Sequence, residues 1–196
     1  MHYRRIASFL LGLWLGGGLL MAWMAIESFR SVDQLLAAHS PVVAIQIRAL
    51  GPGGARALLR YQAAEQNRWY FETWEFVQLI LGAGFFFFLL FGSEEGKFSL
   101  LLLLLMFLLT AAQRFLMTPE LSALGRTLDF IPVGLPSVER NRFWMLHSVY
   151  TGSEILKWGL GLVLGALLVF HRPSRSHDAG HEFDVIDKAN HRHINR

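Results

Sequence analysis

The chain contains no cysteine, which excludes disulfide bonds and thiolate metal sites. Charge is also scarce: 17% of the 196 residues are charged, whereas 53% are hydrophobic. Most of the apolar residues are gathered into long runs that a soluble domain has difficulty covering. The formal net charge of +3 is modest, and the basic residues lie mainly beside these runs, which indicates membrane orientation rather than nucleic-acid binding.

Sequence motifs of enzymes are absent as well. The chain has no zincin pair, nucleophile elbow, P-loop or dinucleotide fingerprint. The segment 173–196 carries several histidines, but their spacings match no recognised set of metal ligands. We therefore predict no enzymatic activity, no cofactor and no metal site, and we expect 173–196 to be a polar, disordered cytoplasmic tail.

Four apolar runs predict membrane spans at residues 6–26, 72–92, 98–117 and 145–170. The fold class expected is all-α: an integral membrane bundle of four transmembrane helices within residues 1–172, with an amphipathic helical loop between the first two.

The first run also fits a cleaved signal peptide, but its length and the spacing of Ala22 and Ala25 favour a retained helix. Arg4 and Arg5 precede it, and further basic residues follow the fourth run. The positive-inside rule therefore predicts a multi-pass protein of the bacterial inner membrane with both termini cytoplasmic.

Two long connections join the runs on the side opposite the termini. From Ala55 a helical pattern continues towards Trp69, which predicts an amphipathic extension of the second span. Between residues 118 and 141, turn-forming residues leave room for one short helix near 120–128. Small residues at Gly12 and Gly16, followed by Gly17 and Gly18, and at Gly161 with Gly165, predict faces where helices approach closely.

Ionisable residues interrupt three of the runs at one depth. Glu75, Arg114 and Glu154 each lie the same number of residues from the presumed inner end of their run, roughly 24 Å from that face at about 1.5 Å of rise per residue. A charge at this depth costs several kcal/mol unless it finds a partner or water. Equal depths therefore predict one shared polar site.

Helical spacing adds further polar residues to this site. Gln78 shares a face with Glu75, and it lies level with Lys157. The simplest structural hypothesis is an ion pair between Arg114 and a carboxylate. The candidate site residues are Glu72, Glu75, Gln78, Gln113, Arg114, His147, Glu154 and Lys157.

Three segments carry a resemblance to a known family: Arg5-Ile6 before a glycine-rich first span, the stretch 114–120, and Arg142-Phe143 followed by His147. In these features the chain resembles the uncharacterised four-helix membrane family catalogued as domain of unknown function 4149, over roughly residues 4–170. The resemblance implies a polytopic membrane protein without an established reaction. The long first connection and the histidine-bearing tail depart from the family pattern.

Three functions are compatible with these observations. The favoured one is a non-enzymatic structural or accessory membrane component, whose partners are the lipid bilayer and either a second copy or another membrane protein. The alternatives are a carrier or proton relay that uses the charged pocket, and a haem or quinone redox subunit. For a haem, His147 lacks a second histidine inside a span, although haem also accepts non-histidine ligands. Interfacial hydrogen bonding is therefore favoured for His147, and a protonation switch stays an open alternative.

Overall fold

The computed structural model describes residues 2–37, 40–92, 96–131 and 136–170, so the predicted polar tail lies outside the described residues. The described part of the chain is helical and contains no β-strand, which confirms the all-α class. The elements in order are α1 (His2–Ala37), α2 (Pro41–Leu50), α3 (Pro52–Gly92), α4 (Lys97–Ala112), a π-helix (Gln113–Met117), α5 (Thr118–Leu128) and α6 (Val138–Phe170).

Four stretches of helix are long and apolar enough to cross a membrane, which suggests a multi-pass membrane protein. They are Tyr3–Ala37, Gly53–Phe91, Lys97–Leu128 and Val138–Phe170.

The helices that contain the four predicted spans are longer than those spans, because the helical conformation continues through the charged residues that flank them. Past residue 26, α1 runs on to Ala37, and Arg30 pairs with Glu27 at 3.1 Å along its surface. The helix of the third predicted span likewise continues past residue 117, because the π-helix joins α4 to α5 without a break.

A sharp turn separates α2 from the long helix α3. Gly51 has a φ of 73°, the left-handed region that favours glycine, and α3 begins at the next residue. The segment from Ala55 to Trp69 is therefore helical and continuous with the second run, without a hinge between them.

The apolar core lies at one end of the bundle, where α1 begins and α6 ends. Trp14, Phe85, Leu103, Met106 and Leu164 are buried there, contributed by α1, α3, α4 and α6. We call this the apolar end, and we call the opposite end, where α5 lies and α6 begins, the polar end.

The glycines of α1 and α6 show which helix faces pack together. A Cβ at Gly161 would meet the Leu15 side chain at 2.7 Å, so this glycine permits close approach of α6 to α1, as predicted. Gly12 and Gly16 have no atom within 4 Å of a Cβ built on them. The prediction is wrong for these two and right for Gly17 and Gly18, because α1 is rotated so that Gly17 packs against Trp74 of α3 and Gly18 faces Trp158 of α6.

Candidate functional site

Lys157 of α6 is the centre of a buried polar layer, and its side chain is 2% exposed. Its Nζ donates to Gln113 Oε1 at 2.6 Å and to Gln78 Oε1 at 3.1 Å. It lies 2.7 Å from Glu154 Oε1 and 3.5 Å from Thr110 Oγ1. The predicted equal depth of Gln78 and Lys157 thus corresponds to direct contact, and the layer joins α3, α4, the π-helix and α6.

Both the amide oxygen and the amide nitrogen of Gln113 have hydrogen-bond partners in this layer. Gln113 Nε2 donates to Ser153 Oγ at 2.6 Å, and that hydroxyl donates in turn to the Tyr150 carbonyl at 2.7 Å. Gln113 is 0% exposed, so both ends of its amide are satisfied inside the protein. Sequence reasoning missed Ser153, because a serine in a helix gives no signal of its partner.

Glu75 of α3 forms a second layer, nearer the polar end. Its side chain is 0% exposed, and Oε1 accepts hydrogen bonds from the hydroxyls of Thr118 and Tyr150. Oε2 has no hydrogen-bond partner among the described residues. The carboxyl group thus connects α3 to α5 and α6 through hydroxyl donors and not through an ion pair.

Arg114 does not make the ion pair that the sequence suggested. None of the ion pairs in the described part of the chain includes it, and its side chain is half-buried. The predicted bridge is wrong because Glu154 pairs with Lys157, while Glu75 is bound by hydroxyl groups.

The π-helix Gln113–Met117 explains why Thr118 reaches Glu75. Residues five apart diverge around an α-helix, but a π turn brings them near the same face. Both Gln113 and Thr118 therefore point inward and are buried, at 0% and 5% exposure. Pro119 lacks the N–H that would continue regular α-helical bonding, and this proline after a long apolar run was the available signal.

A third group of charges lies at the polar end and was missed by the sequence analysis. Arg68 Nη2 lies 2.6 Å from Asp129 Oδ2 and 2.9 Å from Glu65 Oε1. Arg126 Nε lies 3.0 Å from the same Glu65 oxygen. The network ties α3 to the end of α5, and its members lay in segments without a strong apolar pattern. Glu72 accepts a 3.3 Å hydrogen bond from Ser122 nearby.

A cavity of about 360 Å³ lies between α1, α3, α5 and α6 at the polar end. Thr118 and Tyr150 line it, and both donate hydrogen bonds to Glu75, which does not itself line the cavity. Asn67 also lines the cavity, and its Oδ1 is buried without a partner in the described structure. Apolar side chains such as Phe71 and Phe143 form much of the remaining wall.

His147 lines this cavity, and its ring contacts aromatic side chains of its own helix. Its ring stacks on Phe143 with centroids 5.8 Å apart and meets Trp144 edge-on at 5.6 Å. Among the described residues, no group of three or more His, Cys, Asp or Glu side chains is arranged to hold a metal ion.

Comparisons with known protein families, curated proteins and solved structures find no match to this chain. The family resemblance described above therefore stays a prediction.

Proposed function

We propose that this protein is a non-enzymatic component of a membrane, most simply the bacterial inner membrane, whose buried polar layers hold four helices in one register. The observation that carries the proposal is the environment of Lys157. Its ammonium group is surrounded by acceptors from the protein itself, including Gln78, Gln113 and Glu154. A group satisfied in this way stabilises a particular packing and has little capacity left for a transported solute.

The apolar end of the bundle supports the same proposal. Between the Lys157 layer and that end, Phe85, Leu103, Met106 and Leu164 are each 0% exposed. These side chains offer no hydrogen bonds to a passing ion or proton. A carrier or relay needs access to water on both sides of the membrane, and the polar layers approach only one end.

A ligand-binding or proton-relay role centred on Glu75 is the second candidate. It is favoured by the unpartnered Oε2 of this buried carboxyl group and by the cavity that its hydrogen-bond donors Thr118 and Tyr150 line. Intramembrane carboxyl groups commonly serve such functions. This role would require the cavity to open to water and would use Tyr150 and Thr118 as hydroxyl contacts.

The test is thermal unfolding of purified protein in a mild detergent, with an absorption spectrum of each sample. We expect Lys157→Met to lower the unfolding temperature because it leaves the buried amide oxygens of Gln78 and Gln113 without this donor. Glu154→Gln should lower it because the buried ammonium group of Lys157 then has no opposite charge beside it. The double variant should recover part of the loss, because no unpaired charge is left at this position. Lys97→Met, at the exposed start of α4, is the matched control.

Unchanged unfolding temperatures in both single variants would overturn the structural proposal. Loss of a co-purifying chromophore or lipid from folded variants would favour the ligand-binding alternative instead.

A further inference from the structure

A second cavity, of about 300 Å³, lies between α1, α3 and α6 beside the Lys157 layer. Its walls are apolar or aromatic apart from Thr151 and Glu154. The volume is at the lower end of the range found for sites that bind small organic molecules. Because it lies along a candidate membrane-spanning part of the bundle, a ligand would reach it from the apolar phase.

The charged group in this cavity is a carboxylate. Lys157 lies against Oε1 of Glu154, and no described residue donates to Oε2. The Glu154 side chain is 26% exposed, whereas that of Lys157 is 2% exposed and does not line the cavity. A molecule entering the cavity therefore meets the carboxylate and not the ammonium group.

Aromatic rings surround the same space. Phe71 and Trp74 come from α3, and Trp158 comes from α6. Small residues of α1 make room for them: the Trp74 ring packs on Gly17, and a Cβ at Gly18 would lie 3.4 Å from Trp158 Nε1. Tryptophan faces attract cations, most strongly where water is excluded.

We propose that this cavity binds a lipophilic organic cation, such as a quaternary ammonium or phosphonium ion with apolar substituents. A carboxylate combined with aromatic rings is complementary to a diffuse positive charge, and it repels an anion. An inorganic cation would need more oxygen ligands than Glu154 and Thr151 supply. The inference goes beyond the structural role of the Lys157 layer, because it uses the Glu154 oxygen that this layer leaves unpaired.

The first experiment compares two probes of the same shape and opposite charge. Tetraphenylphosphonium and tetraphenylborate are titrated into the purified protein in a nonionic detergent, and binding is followed by calorimetry and tryptophan fluorescence. We expect saturable binding of the phosphonium at least tenfold tighter than that of the borate. Equal binding of both probes, or no saturation, would overturn the proposal.

Two variants test the location. Glu154→Gln should weaken phosphonium binding at least tenfold, and Ala22→Phe should block it by filling the cavity from α1 without changing charge. Ala166→Phe, on an exposed face of α6, is the matched control. Wild-type affinity in Ala22→Phe would place the probe elsewhere and overturn the proposal, as would wild-type affinity in folded Glu154→Gln.

The thermal unfolding of each variant separates this inference from the proposed structural role. If Glu154→Gln unfolds, the structural role is supported and Ala22→Phe alone decides the binding site. If Glu154→Gln is as stable as wild type but loses the probe, the structural role of Glu154 fails and the binding site is supported.

Discussion

Tyr150 of α6 donates a 2.8 Å hydrogen bond to Oε1 of Glu75 on α3, and both side chains are buried. Thr118 at the start of α5 donates to the same oxygen. One carboxyl oxygen therefore connects three helices. The two hydroxyl donors are energetically coupled, because either one can stabilise the acceptor after the other is removed.

This coupling predicts a non-additive effect on stability. Tyr150→Phe and Thr118→Val should each lower the free energy of unfolding by about 1 kcal/mol, the usual scale of a polar contact between membrane helices. The double variant should lose more than the sum, because Oε1 of Glu75 is then buried without a donor. The free energies of unfolding of the wild type, the two single variants and the double variant are measured in mixed micelles that contain increasing amounts of a denaturing detergent.

The exposed residue Tyr3 provides the control for that cycle, since Tyr3→Phe removes a hydroxyl from a side chain that is 54% exposed. A strictly additive double variant would contradict the shared-acceptor arrangement.

Adjacent glycines of α1 give a second prediction. Gly17→Ala should destabilise the protein by about 1–3 kcal/mol, because its Cβ would overlap the Trp74 ring and the helices would have to shift. Gly16→Ala should be neutral or stabilising by up to about 1 kcal/mol, because its Cβ meets no atom within 4 Å and alanine favours the helix. Thermal unfolding of the two variants side by side checks the rotation of α1, and equal effects would argue against it.

A third prediction compares two ion pairs. Arg68 and Asp129 are 12% and 10% exposed, whereas Arg56 and Asp33 are 55% and 60% exposed. Asp129→Asn should therefore cost about 2 kcal/mol, the scale of a charged hydrogen bond away from water.

Asp33→Asn is the matched control for this prediction and should cost less than about 1 kcal/mol, because its pair with Arg56 is exposed to solvent. Thermal unfolding at low and high salt measures both variants. The loss of stability in Asp33→Asn should become smaller as salt is added, because salt screens an exposed ion pair. If the loss in Asp129→Asn becomes smaller to the same extent, its pair with Arg68 is not shielded from solvent.

The position of a residue along its helix axis is predicted well from the sequence, whereas the direction in which it faces around the axis is predicted poorly. The rise of an α-helix fixes how far along its axis a residue lies, so Gln78 and Lys157 were placed level, and their side chains meet at 3.1 Å. The face that a residue occupies depends on the turns before it, and the π turn from Gln113 to Met117 brings Thr118 onto the buried face. For the glycines of α1 the difficulty is different: several faces of an apolar helix look alike in sequence, and Gly17 rather than Gly12 or Gly16 faces a neighbouring helix.

The polar end was less predictable because its contacts join residues far apart in the chain. The pairs Arg68–Asp129 and Arg126–Glu65 connect α3 to α5, and no local periodicity links them. The partners within these two segments follow from tertiary packing alone.

The expected orientation can be tested directly because the chain has no native cysteine. Single cysteines at Lys97, the first residue of α4, and at Val138, the first residue of α6, lie at opposite ends of the bundle. Both positions are exposed, and Val138 is 80% exposed. If both termini are cytoplasmic, Val138→Cys should react with a membrane-impermeant maleimide added to intact cells, whereas Lys97→Cys should react only after the membrane is permeabilised. The reversed labelling pattern would invert the topology, and labelling of both in intact cells would argue against four crossings.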